Sequence, residues 1–151
     1  MKTPRRYLVA AASLMVITAV GMLLGRQDVV LADDGCTDST IAGAYGFALD
    51  GLVSESYNGT PQRIGAFLPL AAAGTFTFDG HGNTSRKYAV SFGGQVSAGN
   101  DSGPYKVHPD CTGSAVFPDG TWEIVIVDHA KQIKAINATP GIAVEGVLTR
   151  Q

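Results

Sequence analysis

An all-β domain, built as a single antiparallel β-barrel of about eight strands, is the fold that residues 33–151 predict, with a β-sandwich of two sheets as the alternative. Three observations lead there. The apolar runs are short and several alternate with polar residues, with no helical stripe of useful length. Gly, Asn, Asp and Pro separate the runs, and 17 of these 119 residues are Gly, as many tight turns require. Most connections are short, which makes sequential strands antiparallel neighbours, and a meander of eight strands removes its exposed edges by closing.

The elements follow in order. Residues 45–53 form the first strand, with Tyr45, Phe47 and Leu49 on one face and Ala44, Gly46 and Ala48 on the other. Residues 54–64 are mostly polar, contain Pro61 and read as a loop. In residues 70–79, Phe76 and Phe78 alternate with Thr75 and Thr77, and residues 84–92 return as a strand. The turn Asp79-Gly80-His81-Gly82-Asn83 joins these two into the clearest hairpin of the chain. Residues 93–103 are rich in Gly, Ser and Asn and read as a loop, with at most a short strand at 95–97. Residues 104–108, 114–117, 122–127, 132–137 and 142–149 complete the count, separated by Pro118-Asp119-Gly120, Asp128-His129-Ala130-Lys131 and Thr139-Pro140-Gly141. The small residues Ala44, Gly46, Ala48, Ala71 and Ala73 suit the crowded inside of a small barrel.

Residues 1–32 read as a signal peptide whose helix precedes the domain. Lys2, Arg5 and Arg6 open it, residues 8–24 are an uncharged and mostly apolar run, and Val30 and Ala32 stand at positions −3 and −1 of a cut before Asp33. The reading is a secreted or periplasmic protein. The Arg5-Arg6 pair leaves general and twin-arginine export both open. Residues 33–151 carry 7 basic and 12 acidic side chains, which argues against a nucleic-acid partner and against binding an anionic membrane surface after cleavage.

Cys36 and Cys111 are the only cysteines. In an oxidising compartment such a pair reads as a disulfide, and closing so long a loop is worth at most roughly 4 kcal/mol on chain entropy. It would pin the entry of the domain to its later half.

Two segments carry a resemblance. Gly103-Pro104-Tyr105-Lys106-Val107-His108-Pro109-Asp110-Cys111-Thr112-Gly113-Ser114 and Gly74-Thr75-Phe76-Thr77-Phe78-Asp79-Gly80-His81-Gly82-Asn83 resemble recurrent segments of small exported bacterial proteins. Cys36 ahead of Gly43, Tyr45 and Phe47 completes the pattern. The resemblance implies export and a β fold and attaches no activity. In architecture alone the barrel is similar to allene oxide cyclase and lipocalin barrels, and no catalytic residue carries over.

Candidate chemistry is sparse. Asp79, His81 and Asn83 could offer ligands to a cation, but the closing acidic residues of a calcium loop do not follow, and a hairpin turn accounts for all three. His108 and Asp110 stand two apart beside Cys111, where Asp110 suits a turn cap better than a base pair or a metal site. Asp128-His129 reads as a turn. The Asn-x-Ser/Thr matches at Asn58, Asn83, Asn100 and Asn137 mean little in a bacterial protein. No catalytic motif, cofactor fingerprint or zinc spacing appears.

These readings favour a non-enzymatic binding module for an apolar small molecule, held inside the barrel, or for a protein partner on its rim. Tyr45, Tyr88, Tyr105, Trp122 and Glu123 are the expected lining. Because Trp122 and Glu123 alternate, only one of those two can point inward. A second reading is a cofactor-free cyclase or isomerase with Glu123 or Glu145 and a Tyr inside the barrel, which needs one of those carboxylates to face inward. A third is a surface or structural protein with no small ligand, which predicts a large exposed apolar patch or a stable oligomer instead of a pocket. The oligomeric state is open.

Overall fold

The computed structural model describes residues 35–54 and 66–151. The signal-peptide expectation for residues 1–32, Asn58 and nearly all of the loop expected at 54–64 lie outside them. A 3₁₀ turn, Asp38–Ile41, leads into eight strands: β1 Gly43–Ser54, β2 Phe67–Phe78, β3 Asn83–Phe92, β4 Gln95–Val107, β5 Thr112–Phe117, β6 Gly120–Val127, β7 Gln132–Asn137 and β8 Ile142–Arg150. They form a closed antiparallel barrel in chain order, with β8 paired to β1. The barrel was expected, and the sandwich is set aside.

Two expectations change. Of the segment expected as a loop at 93–103, with at most a short strand at 95–97, all of residues 95–103 belong to β4, which pairs with β3 residue for residue from Asn83↔Pro104 to Phe92↔Gln95. Its Gly, Ser and Asn residues hide this strand from an argument based on hydrophobic alternation. What holds it is the backbone ladder to β3, with a turn at Gly93 and Gly94, both at positive φ.

The second change concerns the faces. Ala48, Ala71 and Ala73 are exposed, and Tyr45, Phe47 and Leu49 are buried. The small residues therefore lie outside and the large ones fill the barrel, because an interior must be packed and each buried aromatic removes far more apolar surface from water than an alanine. Inner glycines serve a different purpose. A Cβ on Gly74 would overlap the Lys87 carbonyl oxygen, so β2 and β3 cross there at a distance only glycine permits.

Aromatic rings fill the middle of the barrel. The Phe76 ring lies 4.9 Å from that of Phe47 and 5.6 Å from that of Phe117, both edge-on, and Phe78 meets Tyr105 at 5.0 Å. The outer face carries Asp50, Lys87, Lys106, Glu123, Lys134 and Glu145, all exposed. A core inside and charges outside is the reverse of a membrane-spanning barrel, whose outer band is apolar.

One end is closed. The 3₁₀ turn crosses it, and Ile41 is fully buried. Asp38 fastens the turn: Oδ1 accepts from the Val107 N–H at 2.7 Å and Oδ2 from Lys106 Nζ at 2.8 Å. The Tyr105 hydroxyl donates to the Asp38 carbonyl at 2.7 Å. Arg150 donates to the carbonyls of Thr40, Ala42 and Ala130 and to the Tyr45 hydroxyl. The expected disulfide joins Cys36 to Cys111, Cα to Cα 4.9 Å, and ties the entering chain to the β4–β5 turn.

At the hairpin turn, Asp79 accepts from Asn83 Nδ2 at 2.7 Å and from the N–H groups of Asn83 and His81. These bonds lower its pKa to about 2. The Lys106 and Val107 bonds lower that of Asp38. Both lie below the unfolded value of about 3.9. The folded chain thus binds fewer protons in that window, and its stability rises with pH across it. We predict a urea midpoint that is flat above about pH 5 and falls as pH drops through about 4 toward 2. In Asp79→Asn that fall is shallower; an unchanged pH profile in this variant contradicts the account.

Candidate functional site

The opposite end of the barrel, where β1, β3, β5 and β7 finish, holds a cavity of about 480 Å³. That is within the usual range for small-molecule sites, about 300–1,000 Å³. Phe47 lies toward the aromatic layer, and Leu49, Leu70, Val90 and Val144 contribute apolar wall. Val53, Phe92, Pro118 and Ile142 stand where their strands end.

Into this apolar space β3 projects a charge. Arg86 shares the inner face with Thr84 and Tyr88, and its side chain is only 6% exposed. Asp101 lies directly across on β4. Arg86 Nε donates to Asp101 Oδ1 at 2.6 Å and Nη2 to Oδ2 at 2.9 Å. Asp119, in the turn between β5 and β6, accepts from Nη1 at 3.1 Å and from Nη2 at 2.8 Å. Both pairs are bidentate, the strongest geometry available to a guanidinium. Its plane also sits 4.2 Å from the centre of the Phe117 ring and 5.1 Å from that of Tyr88. Burial works against the Arg86 charge, and the bonds from Asp101 and Asp119 outweigh it, leaving its pKa above the ordinary value. Burial, then the charge of Asp101, raises that of Tyr88, whose hydroxyl donates to Asp101 Oδ2 at 3.3 Å.

The cluster also has a mechanical role. The ladder between β4 and β5 holds three residue pairs, Tyr105↔Ala115, Lys106↔Ser114 and Val107↔Gly113, against ten between β3 and β4. Arg86 reaches across this short seam and joins β3 and β4 to the turn after β5.

Two more polar groups line the cavity. Ser54 and Asn137 are each 3% exposed, and Ser54 Oγ and Asn137 Nδ2 have no hydrogen-bond partner in the protein. Asn137 Oδ1 is occupied, accepting from the Thr139 N–H at 2.9 Å, so its free group is a donor. Buried polar atoms without partners cost about 1–3 kcal/mol each. Among the described residues one other such side-chain atom exists, Thr84 Oγ1.

The expected lining residues divide. Tyr88 and Trp122 line the cavity. Tyr45 and Tyr105 are buried at the closed end, where their hydroxyls bond the Ala130 and Asp38 carbonyls. They are structural, because each ring plugs the barrel and each hydroxyl is taken by backbone. Glu123 is exposed on the outer face, since Trp122 takes the inward position and alternation sends its neighbour out. Glu145 is likewise outside; Glu123 and Glu145 flank Ile136 in register on neighbouring strands. The carboxylates in the cavity wall are Asp101, largely buried, and Asp119, at the rim with its side chain 39% exposed. Arg86 and Tyr88, two apart on β3, share a face by simple alternation, but the partners of Arg86 depend on strand register and a turn. Asp110 caps its turn as expected, Oδ1 accepting from the N–H and hydroxyl of Thr112.

Comparison with known proteins adds little to this geometry. No protein-family profile and no curated protein matches the chain. Among solved structures, a porin-like protein from Bacteroides uniformis is similar over 63% of this chain and 35% of its own, at 13% identity and a TM-score of 0.23. The match thus spans about a third of that protein's length.

Removing the guanidinium strands Asp101 in an apolar space. Arg86→Leu is therefore predicted to destabilise the fold by about 3 kcal/mol in urea unfolding. Adding Asp101→Leu recovers a large part of the loss. A single variant as stable as the parent contradicts the buried pairing.

Proposed function

We propose that the protein is an extracytoplasmic binding module that holds a small, largely apolar molecule in the open end of its barrel. The observation that carries this reading is the cavity: an apolar space of ligand size, walled by a closed barrel, with hydrogen-bonding groups left unpaired inside it. The Cys36–Cys111 disulfide supports a secreted or periplasmic location, where such bonds persist. The leader read in residues 1–32 supports the same location.

The cyclase or isomerase reading needed Glu123 or Glu145 inside as acid or base, and both stand on the outer face. The carboxylates in the cavity wall are engaged with Arg86 instead. A second reading, a protein partner on the rim, is favoured by the exposure of Phe67, Phe92 and Val96, the last 77% exposed, around the open end.

Trp122 is the only tryptophan in the chain and lines the cavity. Its emission therefore reports occupancy directly. An apolar probe of suitable size is expected to change Trp122 fluorescence saturably. Ala72→Phe, which projects a ring into the cavity from β2, is expected to weaken that binding at least about tenfold while leaving the fold intact by circular dichroism. Equal binding in the parent and the variant contradicts a site in the barrel and turns attention to the rim.

A further inference from the structure

We infer that the cavity selects a neutral amphiphile: an apolar chain or ring carrying one hydroxyl or carbonyl oxygen, and not a carboxylate or an amine. This rests on reading the cavity as a ligand site and names the chemistry of its occupant.

The polar groups inside fall into two sets. Arg86, the only cation in the cavity wall among the described residues, is already committed. Nε, Nη1 and Nη2 make four hydrogen bonds to Asp101 and Asp119, out of the five that a guanidinium can donate. A ligand carboxylate entering here would find only one guanidinium hydrogen uncommitted, and would meet a cluster that two carboxylates already make net negative. A fatty acid is therefore the wrong guest, although an interior arginine alone would suggest one. The cluster, one cation against two carboxylates, does not itself repel an amine; what disfavours an amine is the loss of water around its charge in a largely apolar space.

The second set is Ser54 and Asn137, at the ends of β1 and β7, on the two strands that flank β8. Asn137 Nδ2, an amide nitrogen, can only donate, and Oδ1 already accepts from the Thr139 N–H. It asks for an acceptor. Ser54 Oγ can donate or accept. A ligand hydroxyl can bond to either group, a carbonyl oxygen can accept from either, and an ammonium cannot accept from Asn137 at all. The apolar body would then lie against Leu49, Leu70, Val90 and Val144.

The test compares decanol, decanoate and decylamine, which share one apolar chain and differ in the head, by titration against Trp122 fluorescence at neutral pH. Decanol is expected to bind at least about tenfold more tightly than either charged probe, an advantage of the size expected from hydrogen bonds to buried, otherwise unpaired groups. At least one of Asn137→Leu and Ser54→Ala, the one that removes the partner of the alcohol, is expected to weaken decanol several-fold and to leave decanoate unchanged. Should Asn137→Leu, which also removes the bond to Thr139, fail to fold, Ser54→Ala and the ranking of the three heads keep the test open. Decanoate or decylamine binding as well as decanol overturns the inference and leaves the binding module standing. So does decanol binding that is indifferent to both substitutions. Silence of Trp122 to all three probes overturns the inference and the binding reading together.

Discussion

Arg86 carries a permanent charge into the interior of the barrel, and the placement of three elements follows from how that charge is met. Asp101 answers it from the neighbouring strand, in direct register. Asp119 answers it from the turn between β5 and β6. Between those two lies the seam where the ladder is shortest. A buried guanidinium without partners would be intolerable, so the sequence must bring both carboxylates to it. In doing so it fixes where β4 ends its freedom and where the β5–β6 turn sits. The same contacts keep this wall of the cavity from collapsing inward, because the ionic cluster cannot move into the apolar space beside it without losing bonds.

The two ends of the molecule divide the work. At the closed end most of the polar groups that cross it are paired: Asp38 with Lys106 and Val107, and Arg150 with three carbonyls and Tyr45, with the disulfide across the entering chain; buried Thr84 Oγ1 is left without a partner there. At the other end, among the described residues, the apolar wall stops short of filling the barrel, and Ser54 and Asn137 are left with hydrogen-bonding capacity unused. A stapled base and an incompletely satisfied mouth are what the proposed binding site would need, since polar groups held ready for a ligand carry a cost that the rest of the fold must offset.

Much of the fold was legible in the sequence. Phe76 and Phe78 alternating with threonines, the Asp-Gly-His-Gly-Asn turn and the spaced short runs after residue 103 place strands where they occur. Local pattern failed in two places, for physical reasons. In β4, Gln95 to Ser102 has no apolar alternation, and its strand is dictated by pairing with β3, a long-range property. In β1 and β2 both faces are apolar or small, so alternation could not say which was inside; filling the interior decides it in favour of the aromatics. The site was half visible. Tyr88 and Trp122 were expected in the lining. Arg86, Asp101, Ser54 and Asn137 were not, because a charge or amide on the inner face is recognisable only once register shows what it meets.

The central claim is that the open end of the barrel contains a pre-formed, largely apolar space. A crystal structure of the protein under xenon pressure tests it most directly, because xenon enters apolar cavities and not packed cores. The account predicts a xenon site against Leu49, Leu70, Val90 and Val144, with Arg86 still paired to Asp101 and Asp119. A barrel interior without xenon, filled by side chains where the cavity should be, would contradict it.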